Sequence, residues 1–429
     1  MERARATEKS MPQRAVYLAG LALWAAQAMP AQRAGAEEIT FDEALALGEE
    51  TPEVVGSREA LQVRESADEA IGGTAGPTTL MFMPGALVAP REDKGFDMQA
   101  AITQGWNLGD LGGARREAAR QERGALSAGV RAKALRARLE AARRWIDLAT
   151  LTKIQQTLEQ RIDTAQELVS RRERALANGV GTMQAWAEAE ALLAELKQRR
   201  LDLEGDEFSA ATQLALAVGK EPRGQRLSPS GPLPRPPVPD EREIRSRIED
   251  VDTAPEVVLE QLRESAARAR AVEASAQYAP VLNLGAQGER GALGSWVVYG
   301  VTGVTFHGFG QDQRSVAIAE AEAASIAART KSARLRARAE VEEALHELKH
   351  TAAVAELIEE RTLPALRRLV VSRTRAVELG EEYSYALTEA RNRELAAIEA
   401  MHRAQGANSW ARVHMWLLLA ELASTEHDQ

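Results

Sequence analysis

His346-Glu347-Leu348-Lys349-His350 spells H-E-x-x-H, the one string in this sequence whose residue types and spacing match a known catalytic chemistry. On a helix its two histidines stand on one face with the glutamate beside them, as zinc peptidases need to hold metal and activate water. The surroundings oppose that chemistry. The string lies inside an apolar periodicity of roughly 65 residues, a rod with no cleft for a substrate. No further histidine follows in the H-E-x-x-H-x-x-G-x-x-H spacing, and Leu348 falls on the stripe that packs against a partner helix. His346 and His350 are therefore expected to be surface residues flanking a seam, able to take up zinc only adventitiously. A zinc peptidase stays as a third hypothesis, to be tested by chelator-sensitive activity.

No other string offers a reaction. There is no Walker loop, so the chain cannot hydrolyse nucleotide to drive work by itself, and no G-x-S-x-G elbow. With no cysteine, the chain has no thiol catalysis, thiolate metal site, disulfide or cysteine-linked lipid. No catalytic residue, metal ligand or cofactor is expected. Trp186, Trp410 and Trp416, at helical spacing, are expected to pack rather than to line a ligand box.

The elements carrying these residues are long helices. Of 429 residues, 27% are charged and only 4% aromatic, with alanine, leucine, glutamate and arginine dominant, a composition typical of extended helices and coiled coils. The net charge of −9 comes from interleaved acids and bases; no basic face stands out to neutralise phosphates, so no nucleic-acid partner is expected. Arg3, Arg5, Lys9 and Arg14 precede the apolar run Ala15–Ala28, and small-residue sites follow at Ala26-Gln27-Ala28 and Ala34-Gly35-Ala36. That pattern reads as a secretory signal peptide over residues 1–36. No other apolar stretch approaches the length of a membrane-spanning helix, so entry of the mature chain into a membrane would require a β-barrel.

The Pro-rich segment Pro229–Pro239 divides the chain nearly in half and reads as an extended linker, placed at 220–241. The flanking halves, 37–219 and 242–423, match each other, with 424–429 left as a tail. Pro52-Glu53-Val54-Val55 recurs as Pro255-Glu256-Val257-Val258, and a second proline, Pro77 or Pro280, follows at the same interval in each half. Next come two alternating, strand-like segments in each half: Thr78–Val88 and Asp97–Leu108, then Val281–Glu289 and Trp296–Phe306. Helical periodicity then runs from about Ala114 to Ala177 and from about Asp312 to Leu379. Leu135, Leu139, Ala142, Ile146 and Ala149 keep the 4-3-4-3 seam spacing, as do Val341, Leu345, Leu348, Ala352 and Ala355. Each rod ends at a glycine, Gly179 or Gly380, suited to a left-handed helix cap. Return helices over Thr182–Val218 and Tyr383–Leu422 follow.

This doubled order resembles the TolC-like outer-membrane efflux family from about Ile39 to Leu422. The resemblance is carried by Pro77 and Pro280, by the strand-exit glycines Gly112 and Gly310, and by Pro364, which precedes Gly380 within the second rod. The tip segments Ala177-Asn178-Gly179-Val180-Gly181-Thr182 and Glu378-Leu379-Gly380-Glu381-Glu382-Tyr383 complete it. The implied fold is mainly α: two tandem repeats of helix, β-hairpin, long helix and return helix. They form a helical tunnel plus four strands of a trimeric, twelve-stranded β-barrel. Four strands alone cannot close a barrel or hide their edges, which also calls for several copies. Phe82, Phe96, Trp106, Trp296, Tyr299, Phe306 and Phe309 are the candidates for its aromatic belt.

The resemblance implies a homotrimer in outer-membrane lipid, extending into the periplasm. Gly179, Val180, Gly181, Gly380, Glu381 and Glu382 would form tips that dock a periplasmic adaptor protein, which links to an inner-membrane pump. The implied function is a passive duct in a tripartite efflux or type I secretion system. In that family acidic residues after the second glycine turn narrow the tunnel. The matching positions here are Ala386 and Glu389, with Glu188 the first-half equivalent of Glu389. Three copies of Glu389 would make a cation-favouring ring. The alternative is a periplasmic coiled-coil adaptor or structural protein without a pore, although an adaptor would carry its hairpin once. The absence of a lipid-anchor cysteine mildly resembles the heavy-metal branch, while drug and polypeptide export stay open.

Overall fold

The computed structural model describes residues 37–68, 75–88, 94–222, 226–249, 251–290, 295–306, 312–379 and 384–424. The expected signal peptide, Phe309, Gly310 and the tip residues Gly380, Glu381 and Glu382 lie outside these residues.

The first half opens with strand β1 (Glu37–Thr40) and helix α1 (Phe41–Glu49). Thr40 starts that helix with a capping box: its hydroxyl accepts from the Glu43 amide, and its own amide donates to the Glu43 carboxylate at 2.8 Å, so two orphan donors are satisfied reciprocally. Helix α2 (Pro52–Asp68) leads to strands β2 (Ala75–Val88) and β3 (Lys94–Asn107). Asp110 then turns the chain in the left-handed region (φ 49°), and its carboxylate accepts from the Gly113 amide at 3.1 Å. Helix α3 (Leu111–Ala177) follows as one unbroken run of 67 residues, about 100 Å at 1.5 Å per residue. Helix α4 (Met183–Ala217) returns beside it.

The second half runs in the same order through β4 (Leu227–Ser230), α5 (Glu241–Glu249), α6 (Pro255–Gln277), β5 (Val281–Arg290) and β6 (Trp296–Thr305). Its rod differs from the expected single helix. Helix α7 (Asp312–Leu357) gives way to a π turn (Ile358–Thr362) before α8 (Leu363–Glu378) and the return helix α9 (Ser384–Ser424). Pro364 explains the break: its ring crowds the carbonyl four residues back and it offers no amide, so the ladder ahead of it widens.

Strands β2, β3, β5 and β6 form one antiparallel sheet in that order. Its register aligns Leu80 with Ile102, Ala286 and Gly300, and Phe82 with Ala100, Gly288 and Val298. Side chains alternate across a pleat, so those rows share one apolar face. The intervening rows, Met81–Ala101–Gln287–Tyr299 and Met83–Gln99–Glu289–Val297, belong to the opposite, more polar face. There Gln287 Nε2 donates to Gln99 Oε1. Leu80, Phe82, Trp296 and Val298 are exposed in the single chain.

Helix α3 is the spine of the helical layer. Toward the sheet α2 and α6 pack on it; toward the tip α4 and α9 do, with α7 against α6 and α9. The largest core gathers Trp145, Ile146 and Leu148 of α3 with Ile39, Leu45, Leu214, Val413 and Leu417. The expected seam residues Leu135, Ala142, Ile146, Ala149, Val341 and Leu345 are buried, while Leu139, Leu348, Ala352 and Ala355 are half-buried. At one crossing a Cβ on Gly406 would lie 2.2 Å from Thr150 Oγ1, so α9 can approach α3 this closely only at glycine.

The Pro-rich segment is held in place. Strand β4 pairs in parallel with β1, Glu37 opposite Leu227 through Thr40 opposite Ser230. Beyond it Ser409 Oγ donates to the Pro234 carbonyl at 2.8 Å. No described helix is long and apolar enough to cross a membrane.

Candidate functional site

The H-E-x-x-H string sits where the seam spacing puts it. Leu345 is buried and Leu348 half-buried, while His346 and His350 are exposed, with rings stacked 6.1 Å apart. Lys349 between them pairs with Glu241 of α5 at 2.7 Å. No group of three or more metal-capable side chains occurs among the described residues.

At the far end of the rod the first glycine turn is fully built. Gly179 adopts φ +71°, where an L side chain is strained. Its amide donates to Leu176 O at 3.0 Å and the Val180 amide to Ala175 O at 3.0 Å, the paired bonds of a Schellman cap. Gly181 also donates to Ala175 O, and Thr182 then caps α4 through the Ala185 amide at 3.2 Å. Val180 stands 78% exposed at the apex, an apolar side chain presented by rigid backbone.

The guanidinium of Arg172, on α3, lies 3.6 Å over the ring of Tyr385, at the start of α9. This contact ties the tip end of α3 to the start of α9. One turn on, Ala386 is half-buried and Glu389 exposed, its carboxylate held by Arg393 at 2.6 Å. Glu188 is also exposed and accepts from Gln184 at 2.9 Å. Within one chain each is held on its own helix, Glu188 by Gln184 and Glu389 by Arg393. Trp410 and Trp416 pack against the main core, and Trp186 is half-buried.

Sequence reasoning missed a deeply buried acidic residue. Glu399 of α9 has a side chain only 2% exposed. One of its oxygens meets Arg161 Nη1 of α3 at 2.6 Å; the other meets Arg199 Nη2 of α4 at 2.7 Å and Arg403 at 3.6 Å. Arg161 Nε also donates to Asn392 at 3.0 Å. A faint signal was present, since Asn392, Glu399, Gly406 and Val413 share one heptad stripe with a polar half and a buried half. Burial also shifts other groups along these helices. It pushes His402 down, helped by Lys153 and opposed by Glu399. It pushes Asp147 up against Arg143 and Arg144, and Glu207 up against Arg226.

No family model matches this chain, and no curated protein sequence matches it either. Solved structures do match. The Vibrio cholerae outer membrane protein VceC aligns at 16% identity over 89% of this chain and 95% of its own, with a TM-score of 0.63. The Campylobacter jejuni CmeC outer membrane channel aligns at 12% identity over 90% and 88%, TM-score 0.66. The outer-membrane channel OprN aligns at 16% identity over 88% and 89%, TM-score 0.65. Identities this low speak for the fold. The doubled order of strands, rods and return helices is the TolC-like outer-membrane-factor fold.

Proposed function

We propose that three copies of this chain assemble into a passive outer-membrane duct that continues through the periplasm and serves an efflux or secretion system. The four-stranded sheet at the end of the rods carries the reading. Among the described residues β2 and β6 each pair on one side only. One face of the sheet is apolar in the rows through Leu80 and Phe82 across all four strands, as lipid requires, and the other carries Gln99, Gln287, Glu289 and Tyr299, as a wet lumen requires. Joining β6 of one copy to β2 of the next removes both edges and closes the cylinder.

The helical layer supports the same assembly. Helix α4 is packed chiefly on α3 and leaves Leu201, Phe208 and Leu216 exposed at near-heptad spacing, while α7 and α8 expose Leu335, Leu357 and Val371. These flanks lie at opposite ends of the helix order and suit each other as a seam between copies. In the assembled duct the Gly179 turn and residues 380–382 form the tips that meet a periplasmic adaptor, and through it an inner-membrane pump. Glu389 forms the cation-favouring ring near the mouth, with Ala386 and Glu188 beside it. Residues 1–36 act as the export signal, and residues 37–219 and 242–423 as the two repeats.

Fractionation with planar-bilayer recording tests this reading. An outer-membrane, SDS-resistant trimer that conducts ions supports it. A soluble periplasmic monomer without conductance would replace it with the pore-free coiled-coil alternative.

A further inference from the structure

Helices α4 and α9 both pack on α3 but scarcely touch each other. Glu399 spans that gap. Measured along their helices from the tip-side ends Ala177, Met183 and Ser384, Arg161, Arg199 and Glu399 stand at nearly the same distance, which places the meeting of all three helices at one height, roughly 22–24 Å from those ends. We infer that Glu399 is a positioning residue: its carboxylate cross-links three helices and sets the separation of α4 from α9, and with it the bore of the duct.

The geometry favours a cross-link over an incidental surface pair. Glu399 is only 2% exposed, and the arginines around it stand where water would otherwise solvate it. Its two oxygens are divided between different helices, Arg161 on one and Arg199 on the other, and charge-assisted bonds of this kind hold direction as well as distance. Arg403 lies one turn on in α9, and Asn392 steadies the Arg161 fork from two turns before. Between this point and the tip, α9 carries Ala386 and Glu389, and Arg172 over Tyr385 is a second tie to α3. A lateral shift of α9 at Glu399 thus carries the mouth-lining residues with it. The statement about bore rests on the duct reading; the statement about helix separation does not.

The absence of cysteine allows a clean test on the full chain. Gln198→Cys on α4 and Arg391→Cys on α9, both at exposed positions, are spin-labelled, and their separation is measured by pulsed electron resonance. Arg199→Met cuts only the α4 arm at a side chain 40% exposed, so folding is retained. It is expected to broaden the distance distribution roughly twofold as α9 gains lateral freedom, with Arg199→Lys restoring much of the narrow form. Glu399→Gln is expected to broaden it further and to lower the melting temperature. An unchanged distribution in folded Arg199→Met overturns the cross-link. In bilayers Arg199→Met should shift the mean conductance and raise open-channel noise; distances that change while conductance does not overturn the role in bore. A wild-type chain that never conducts sinks the duct reading alone, and the distances still decide the cross-link.

Discussion

The indole Nε1 of Trp145 donates to the backbone carbonyl of Ile39 at 2.9 Å, with both residues almost wholly buried. The bond ties β1, and through it β4, to the middle of the longest helix. Phe41 meets the same indole edge-on, with ring centroids 5.6 Å apart. Trp145→Phe keeps most of the packing but strands the Ile39 carbonyl. The expected cost is about 1–3 kcal/mol, read as a lower melting temperature by circular dichroism with helix content unchanged. A melting temperature equal to wild type would mean the bond contributes nothing.

Gly179 tests the cap by itself, because a Cβ there would meet nothing within 4 Å. Gly179→Ala should cost about 1–2 kcal/mol from the left-handed backbone alone, and Gly179→Asn less. Urea unfolding measures both. Equal midpoints for alanine and glycine would show that the turn relaxes out of the left-handed region.

Asp147 gives a pH-dependent prediction. Burial raises its pKa above the ordinary carboxylate value, with Arg143 and Arg144 resisting. A carboxyl raised in the folded state holds its proton more tightly there than in the unfolded chain. Its contribution to stability is thus greatest at low pH and lost as pH rises through the ordinary value to the raised one. Asp147→Asn should raise the melting temperature at about pH 7 and give no gain near pH 3. A gain of equal size at both pH values would assign the effect to packing.

Glu389→Ala should reduce the cation preference of single channels, measured as a reversal-potential shift in a salt gradient, if three copies line the mouth. Glu188→Ala, on the other return helix, is the comparison. Unchanged selectivity in Glu389→Ala would leave Glu389 as a solvated partner of Arg393.

His346→Ala/His350→Ala should leave stability within about half a kcal/mol of wild type, as exposed substitutions do. Purified wild-type protein should cleave no peptide in a chelator-sensitive way. Such cleavage, lost in the double variant, would revive the zinc peptidase.

Features set by local backbone rules were legible in the sequence. Pro280 before β5, Gly179 after the first rod and β-branched runs such as Trp296–Phe306 act within a few residues, so the element order and most bounds could be read directly. Strand β4 was not foreseen because Leu227-Ser228-Pro229-Ser230 sits in a proline-rich stretch, yet a two-stranded edge tolerates a proline whose missing amide faces away. The π turn was hidden because Pro364 signals a fault without saying whether the helix will kink, stop or widen. Trp145 and Glu399 were missed for a tertiary reason. A tryptophan on an alanine-rich helix, or one acid among 63 acidic residues, shows its burial only once the facing helices are in place.

The two margins of the four-stranded sheet left unpaired among the described residues carry a consequence for the proposed duct. Each stranded amide or carbonyl would cost several kcal/mol in hydrocarbon, so on that proposal a single subunit could not enter a bilayer by itself. It would wait in water, with Leu80, Phe82 and Val298 uncovered, until further copies joined it. Assembly would then be a race between finding those copies and aggregating, and the rate of synthesis would help decide the outcome.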